Sequence, residues 1–236
     1  MATKSIYLFY VANMTIVTSR QQNPKTLSAQ LYELIKHDIL ECTLEPGQLI
    51  GEMTIVERYR IGRTPFREVC PRLEAEGLIE IVPHRGIFVA SVSNKDIIDL
   101  FEFRLVVEPA IAEMACLRRQ PGDMKRLEVN LKDCARLRKG KRAQMIPELN
   151  WNSQDFHVQV ARLARNLELV EVVERIHNKL MRILVFTARR SPDDYPFNAI
   201  HAEIFEAIVR GKGAEARRLM VRDIEQAQQW VHDFGK

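Results

Sequence analysis

The segment Gly62-Arg-Thr-Pro-Phe-Arg-Glu68 carries the signals of a helix start. Thr64 is expected to cap this helix, because its hydroxyl can accept one of the free amide hydrogens of the first turn. Pro65 would then be the first helical residue, where its missing N–H removes no hydrogen bond. Glu68 lies in the first turn, where the helix dipole favours a negative charge.

The helix that starts here is predicted to run to about Glu76 and to stop at Gly77. Pro71 lies inside it. Proline removes one backbone donor, and its ring meets the carbonyl of the residue four positions earlier, here Arg67. We therefore expect a kink or a tightened turn at Pro71.

The elements on either side of this helix complete a small domain. Apolar residues recur at helical spacing over Leu27–Leu40, and a short helix is expected at about Met53–Tyr59. Two β-like runs follow, Leu78–Val82 and Ile87–Ala90, and the segment Pro83-His-Arg-Gly86 between them is typical of a tight hairpin turn. Three helices followed by a hairpin form the winged helix-turn-helix layout.

After Ser93, the sequence no longer contains patterns that are typical of β-strands. Amphipathic helices are predicted at about Asn94–Arg118, Asp123–Lys139, Ile146–Ala164, Glu168–Arg190, Phe197–Arg210 and Ala214–Phe234, with proline and glycine near the breaks. Helices without strands predict a bundle. The predicted fold class is mainly α: a winged helix-turn-helix domain over residues 25–92, then an all-α helical bundle domain over residues 93–236.

Residues 1–24 are predicted to form an N-terminal extension. Its apolar stretch is broken by Asn13 and Thr15 and has no small-residue cleavage site behind it, so a signal peptide is not expected. Two interpretations stay open. The segment is a flexible arm or swapped strand, or Met14 is the true start and the first residues are not part of the protein.

The charge of the chain is mild, with a formal net charge of +4 over 236 residues. Residues 24–92 carry 8 Lys and Arg against 10 Asp and Glu, so the first domain is not basic as a whole. If this domain binds a polyanion, the binding must therefore depend on the positions of individual arginines and not on the total charge. No uninterrupted apolar stretch reaches the roughly 18–20 residues that a membrane span needs, so no membrane partner is expected.

The cysteines, Cys42, Cys70, Cys116 and Cys134, match no zinc-knuckle spacing and form no CxxC pair. They are predicted to be small buried hydrophobic residues in a reducing compartment. This pattern favours the cytoplasm.

The start of the predicted third helix and the tip of the hairpin suit the reading of double-stranded DNA. The residues concerned are Arg63, Thr64, Arg67, His84, Arg85 and Gly86. Arginine is the side chain best suited to bidentate contact with guanine, and a helix start suits a phosphate oxygen. An arginine at a hairpin tip can enter the adjacent minor groove. The alternative is that these arginines form an ordinary solvent-exposed surface. Their position at a helix start, beside a hairpin that turns at glycine, makes this alternative the weaker interpretation.

Four segments in this order resemble the GntR family of bacterial regulators: Leu44-Glu-Pro-Gly-Gln-Leu49, Gly62-Arg-Thr-Pro-Phe-Arg-Glu68, Arg72-Leu-Glu-Ala-Glu-Gly-Leu-Ile79 and His84-Arg-Gly-Ile-Phe-Val89. The resemblance implies a dimeric repressor that binds a short palindromic operator. It places the DNA contacts on Arg63, Thr64, Arg67 and the wing around Gly86. Gly62 departs from the family, which usually has a serine or threonine there, so one hydroxyl that could cap the helix or touch phosphate is lost.

Polar residues interrupt the apolar stripes of three helices in the second domain. Ser153 and His157 lie one turn apart on one stripe, His201 lies on a second, and Asp223 lies on a third. One buried polar group is usually a satisfied core residue, but groups on three stripes favour a shared polar pocket. Imidazoles with a carboxylate suit Zn, Ni or Fe, and oxygen-rich sets suit Mn.

The second domain resembles the helical effector domain of FadR-type regulators, called FCD. The cues are Arg104-Leu-Val-Val-Glu-Pro109, Asp155-Phe-His157 with Arg165-Asn166, His201 with Ala207-Ile208, and the final helix. The resemblance implies a metal held by an Asp-x-x-x-His pair and two further histidines, which fall on Ser153, His157, His201 and Asp223.

Two of these four identities depart from the family pattern, and a serine hydroxyl is a poor ligand. His157, His201 and Asp223 are therefore the expected ligands of one divalent ion, Zn, Ni or Mn, with water or an effector carboxylate completing the site. In the alternative, His157 and His201 hydrogen-bond an organic acid directly, without a metal.

Arg104 is a further candidate effector-binding residue. It lies beside apolar positions of the first bundle helix, where its guanidinium suits a ligand carboxylate. Its other possible role is a pair with Glu108, four residues later, which is worth little on a helix surface. The sequence leaves both roles open.

Together these patterns predict a homodimeric DNA-binding repressor whose operator affinity responds to a small carboxylate metabolite. The effector would change the placement of two winged domains against half-sites about one DNA turn apart. Induction and co-repression stay open. No nucleophile–base pair, HExxH or phosphate loop is present in the sequence, so we expect no enzyme. The alternatives are a metal-dependent helical enzyme fused to a DNA-binding module, which turnover of a bound acid would reveal, and a structural nucleoid protein, which flat affinity across DNA sequences would reveal.

Overall fold

The computed structural model describes residues 26–137, 142–190 and 200–234. The predicted extension over residues 1–24 lies outside these ranges. The elements are α1 (Leu27–Leu40), α2 (Glu52–Tyr59), α3 (Arg63–Ala75), β1 (Ile79–Val82), β2 (Gly86–Val89), α4 (Asn94–Arg118), α5 (Met124–Leu137), α6 (Arg142–Leu163), α7 (Leu167–Arg190), α8 (His201–Val209) and α9 (Gly213–Phe234). The predicted fold class, a winged helix-turn-helix followed by a helical bundle, is confirmed.

The winged half (residues 26–92) folds around the inner faces of α1, α2 and α3. Thr26 caps α1 by accepting a hydrogen bond from the amide of Ala29. The strands pair antiparallel, with Ile79 opposite Val89. The core of this half includes Leu31, Ile35, Ile55, Phe66 and Leu73. Burying these side chains fixes the three helices against the base of the hairpin.

Helix α3 begins one residue before the predicted cap. Gly62 has the extended backbone of an N-cap, at φ −64° and ψ 167°, and α3 starts at Arg63 without a side-chain cap. The prediction that Thr64 caps this helix is therefore wrong, because Thr64 already lies inside the first turn. Pro65 still falls in that turn, where amide hydrogens have no intrahelical acceptor. The helix continues through Pro71.

The bundle half (residues 93–234) begins with a well-capped helix. The hydroxyl of Ser93 accepts from the amide of Asp96, and the Asp96 carboxylate accepts from the amide of Ser93. Helix α4 then has the predicted bounds, Asn94–Arg118. It packs against α9, α6 and α8, so its inner face lies at the centre of the bundle.

The predicted start of one helix in the bundle half is wrong. Helix α6 starts at Arg142, before the predicted Ile146, so Pro147 lies inside the helix instead of at a break. Proline costs one hydrogen bond, but the buried face of a 22-residue helix outweighs that loss. A 3₁₀ turn, Pro121–Asp123, precedes α5 at Met124. Residues 197–199 of the predicted helix Phe197–Arg210 lie outside the described residues, and α8 begins at His201.

Helix α7 belongs to both cores. Val173, Leu180 and Leu184 are part of the bundle core. Met181 and Val185 are buried in the core of the winged half. Cys42, Cys70 and Cys116 are buried, as predicted, and none of the three forms a disulfide within the described residues. Over the described ranges, no helix combines the length and apolarity of a membrane span.

Candidate functional site

The start of α3 presents the predicted DNA-reading residues to solvent. Arg63, Thr64 and Arg67 are all exposed in its first turns. The guanidinium of Arg67 donates from Nε to Glu52 Oε1 at 2.7 Å and from Nη2 to Glu52 Oε2 at 3.3 Å. These hydrogen bonds from Arg67 hold the pKa of Glu52 below its ordinary value. Glu52 therefore orients Arg67 while leaving donors of its guanidinium open.

The tip of the wing is also exposed. His84, Arg85 and Gly86 all face solvent. His84 and Gly86 have positive φ, 60° and 117°. A Cβ on Gly86 would come 2.9 Å from Cδ1 of Leu49, an exposed side chain that can move aside, so the positive φ is what favours glycine at this position.

The predicted effector-binding residues meet at one cavity in the bundle half. Arg104 comes from α4, Ser153 and His157 from α6, His201 from α8, and Asp223 from α9. The cavity has a volume of about 30 Å³, the space of roughly one water molecule. We call it the bundle cavity; its other lining residues include Gln154, His177, Leu180, Leu184 and Trp230.

The three predicted metal ligands have the spacing of a coordination site. His157 Nε2 lies 3.4 Å from Asp223 Oδ2, and His201 Nε2 lies 3.4 Å from Asp223 Oδ1. Metal bonds of about 2.1 Å at tetrahedral angles place neighbouring ligand atoms about 3.4 Å apart. The donor set therefore fits a divalent transition metal. The ring of Phe156 stacks on His201 with centroids 3.9 Å apart, which fixes that imidazole.

Glu108 lies behind the residues that line the cavity and contacts three of them. Its Oε1 accepts from Arg104 Nε at 2.7 Å and lies 3.1 Å from His177 Nε2. Its Oε2 lies 2.7 Å from His157 Nδ1. Arg104 and Glu108 are 1% and 3% exposed, so this pair is a buried one and not the weak surface pair weighed from the sequence. Within the described residues, Arg104 Nη1 is buried without a hydrogen-bond partner.

Burial and neighbouring charges give the cavity residues different pKa values. Burial raises the pKa of Glu108, but Arg104 and the imidazoles outweigh it and hold the pKa well below the ordinary value. The pKa of Asp223 is lowered in the same way by His201 and His157. Burial lowers the pKa of His157, but Glu108 and Asp223 outweigh it, so the net pKa is raised.

The other two imidazoles stay neutral near neutral pH. Burial lowers the pKa of His177 to about 4. Burial also lowers the pKa of His201 below its ordinary value, against the opposing effect of Asp223. Neutral imidazole is the form that binds a metal.

Two residues that line the cavity, and the role of Glu108 behind it, were not recognised from the patterns used above. His177 and Gln154 were not singled out, and Glu108 was considered only as the partner of Arg104. His177 falls on the buried stripe of α7 with Val173 and Leu180, so the pattern that identified His201 could have identified it too. Its ring stacks on His157 with centroids 4.7 Å apart.

Two family models match the chain. The FCD domain model matches residues 99–226. The model described as bacterial regulatory proteins, gntR family, matches residues 27–89. The two matches correspond to the bundle half and to the winged half of the structure.

Characterised regulators are similar to this chain over most of its length. The HTH-type transcriptional repressor RspR of Escherichia coli (strain K12) is 25% identical over 222 residues, which cover 94% of this chain and 95% of RspR. The HTH-type transcriptional repressor GlaR of the same organism is 27% identical over 165 residues, covering 68% of this chain and 73% of GlaR.

Solved structures share the fold. A transcriptional regulator GntR from Rhodococcus sp. RHA1 superposes with a TM-score of 0.70 at 21% identity, covering 87% of this chain and 97% of that one. E. coli McbR/YncC superposes with a TM-score of 0.69 at 16% identity, covering 89% and 99%. The chain belongs to the GntR family of bacterial regulatory proteins, with an FCD domain, and is a DNA-binding transcriptional regulator.

Proposed function

We propose that this regulator is a homodimeric, ligand-controlled repressor that reads its operator with the start of α3 and the tip of the wing. The proposed DNA contacts are Arg63, Thr64, Arg67, His84, Arg85 and Gly86. Their exposure and their place at a helix start and at a hairpin tip support this assignment. A protein that acts on bacterial DNA works in the cytoplasm, and the buried cysteines, which form no disulfide within the described residues, agree with a reducing compartment.

The effector site is the bundle cavity, and it is built around a divalent metal ion, Zn, Ni or Mn. The observation that carries this proposal is the spacing of His157 Nε2, His201 Nε2 and Asp223, with two edges of 3.4 Å. Three protein ligands leave a coordination position open. The resemblance to FCD domains implies a carboxylate at the position of Ser153, and the shorter serine leaves room for water or for the effector at that side.

The effector is a small carboxylate. A divalent ion and Arg104 give the cavity an excess of positive charge over the carboxylates of Glu108 and Asp223. Arg104 Nη1 has no partner among the described residues, so it has a donor left for an anion. A cavity of about 30 Å³ holds the ion with one or two ligand atoms, so an acid of more than a few atoms must widen it.

The second copy of the dimer is proposed to pack on the outer face of α4. Phe103, Val106 and Leu117 lie on that face at helical spacing and are 44%, 72% and 81% exposed. An isologous contact between two copies would cover this stripe. It would also hold two winged halves together, as a palindromic operator requires.

The deciding experiment is metal analysis of the purified protein, followed by a calorimetric Zn²⁺ titration of the metal-free form. We expect one ion per chain and loss of binding in His201→Ala. Glu203→Gln, an exposed position on the same helix, is the matched control and should bind as the wild type does. Operator affinity is then measured with and without Zn²⁺ and a panel of small carboxylates.

The rival arrangement, in which His157 and His201 hydrogen-bond an acid directly, predicts a different result. The protein would then bind a carboxylate equally well after chelator treatment, and Zn²⁺ would change nothing. That outcome would remove the metal from the proposal and keep the cavity as the effector site. Turnover of the bound acid would instead favour an enzyme.

A further inference from the structure

A buried arginine on α7 holds the base of the wing. Arg182 is 3% exposed. Its Nη1 donates to the carbonyl of Ala90 at 2.9 Å, and its Nη2 donates to the carbonyl of Gly77 at 3.4 Å. Gly77 lies between α3 and β1, and Ala90 directly follows β2. One guanidinium therefore binds the chain where it enters the hairpin and where it leaves it.

The hairpin is closed at the same place by its own backbone. The amide of Ala90 donates to the carbonyl of Leu78, and the amide of Leu78 donates to Leu73 at the end of α3. The carbonyls that Arg182 binds thus belong to the joint between the recognition helix and the wing. The guanidinium is therefore bonded to the backbone that joins both DNA-reading elements.

Within the described ranges, Arg182 forms no ion pair, although Asp96 and Glu80 lie near enough to oppose the effect of burial on its pKa. Among the residues that the structure describes, its Nε is buried without a hydrogen-bond partner. Burial lowers the pKa of this guanidinium. An unpaired buried charge is unfavourable for stability alone, so the position suits a role in placing the wing.

The same helix lines the bundle cavity with residues on both sides of Arg182 in the sequence. His177, Leu180 and Leu184 face the cavity. Met181 and Val185 are the α7 side chains in the core of the winged half. Protein interiors are close-packed, so a helix that shifts to admit a ligand on one face displaces what it touches on the other.

We propose that Arg182 is the positioning residue through which the state of the bundle cavity reaches the wing. This inference rests on the proposed function, because it takes the bundle cavity as the effector site. A change at His177 moves α7, and Arg182 then carries the movement to Gly77 and Ala90. Operator affinity changes because the wing and the end of α3 change their relative placement.

A double-mutant cycle on the full-length protein tests this coupling without any ligand. The variants are His177→Gln, Arg182→Gln and the double variant, each titrated with an operator fragment selected from random DNA by the wild type. We expect His177→Gln to change the operator Kd about threefold or more in the wild-type background and less than about twofold beside Arg182→Gln. Additive effects, or no effect of His177→Gln at all, would overturn the proposal.

Two further variants guard against a trivial loss of structure. Arg175→Gln removes an exposed arginine from the same helix and should leave the effect of His177→Gln unchanged. Arg182→Lys keeps the charge but replaces the planar fork, whose two nitrogens reach one carbonyl each, with a single nitrogen, so it should weaken the coupling even if Arg182→Gln fails to fold. Full coupling in Arg182→Lys would count against the bridging role.

A Zn²⁺ titration of the same proteins separates this inference from the metal proposal. Arg182→Gln should bind Zn²⁺ like the wild type but lose the Zn²⁺-dependent change in operator Kd, which we expect to be about fivefold or more in the wild type. If neither protein binds Zn²⁺, the metal proposal fails, and the metal-free cycle still decides the role of Arg182.

Discussion

Glu108 Oε2 lies 2.7 Å from Nδ1 of His157, while Asp223 lies on the Nε2 side of the same ring. A carboxylate behind a histidine fixes its tautomer, so that Nδ1 carries the proton and Nε2 keeps its lone pair for a metal. Glu108 also accepts from Arg104, the proposed carboxylate-binding residue. The same carboxylate, that of Glu108, therefore orients both the proposed metal ligand His157 and the proposed anion-binding residue Arg104.

Replacing that support should weaken the metal site. Glu108→Gln keeps the shape of the side chain but removes the charge that orients His157. We expect Zn²⁺ affinity to fall about 10–100-fold, the usual cost of losing an outer-shell carboxylate. Glu113→Gln, on the exposed side of the same helix, is the control for a general effect on α4. Unchanged Zn²⁺ affinity in a folded Glu108→Gln protein would contradict the support role.

Two ion pairs on α4 have the same spacing and different burial, which gives a sharp stability comparison. Arg104→Met leaves Glu108 charged and buried, so we expect a loss of about 3–5 kcal/mol in the free energy of unfolding. Lys95→Met breaks the exposed pair with Asp99 and should leave the free energy of unfolding almost unchanged, because solvent screens this pair. Urea denaturation of both variants measures the difference.

A compensated variant checks the cause of that loss. Arg104→Met combined with Glu108→Leu removes both charges and should recover most of the stability, because no unpaired charge remains. If the double variant is as unstable as Arg104→Met alone, packing around the arginine and not its charge holds α4 in place.

Structural features that depend on residues close together in the sequence could be predicted, whereas features that depend on contacts between distant segments could not. The bounds of α4 follow from neighbours in the chain, since Ser93 and Asp96 cap its start. Helical spacing also shows which residues point inward, so His157 and His201 could be assigned to a pocket. Which inward-facing residues of different helices meet is a tertiary question, and for that reason Glu108 entered only as a local partner of Arg104.

The errors have the same origin. Thr64 has the chemistry of a helix cap, but the backbone turns one residue earlier, at Gly62, where glycine adopts the extended cap conformation without a side-chain bond. Pro147 has the chemistry of a break, but α6 runs through it. In both places, tertiary packing overrides the local conformational preference of the residue. Arg182 gave no signal in the sequence, because its partners are backbone carbonyls.

Arg63 should carry sequence specificity at the operator. Arg63→Ala removes a potential bidentate base contact from the first turn of α3, and we expect a loss of about 1–3 kcal/mol in binding with relaxed preference at one base pair. Arg218→Ala, an exposed arginine on α9, should bind as the wild type does. Fluorescence anisotropy against the selected operator and its single-base variants measures both. Equal loss on every sequence would instead assign Arg63 to a phosphate.

The winged half should lose stability at alkaline pH through His37. Burial lowers the pKa of His37, but hydrogen bonds to Asp38 and Glu41 outweigh it and raise the pKa to about 9, above the ordinary 6.5. A raised folded-state pKa means that the protonated form stabilises the fold. This contribution is fully present below about pH 6.5 and is lost as the pH rises through 9.

The expected size of the effect is modest, because the imidazole is 31% exposed and solvent screens the pairs. We expect wild type and His37→Gln to differ by about 1 kcal/mol more at pH 6 than at pH 10, measured by urea denaturation. His232→Gln, at an exposed histidine beside Asp233, is the control for the removal of an imidazole. A difference between wild type and His37→Gln that stays constant with pH would mean that the protonated imidazole does not support α1.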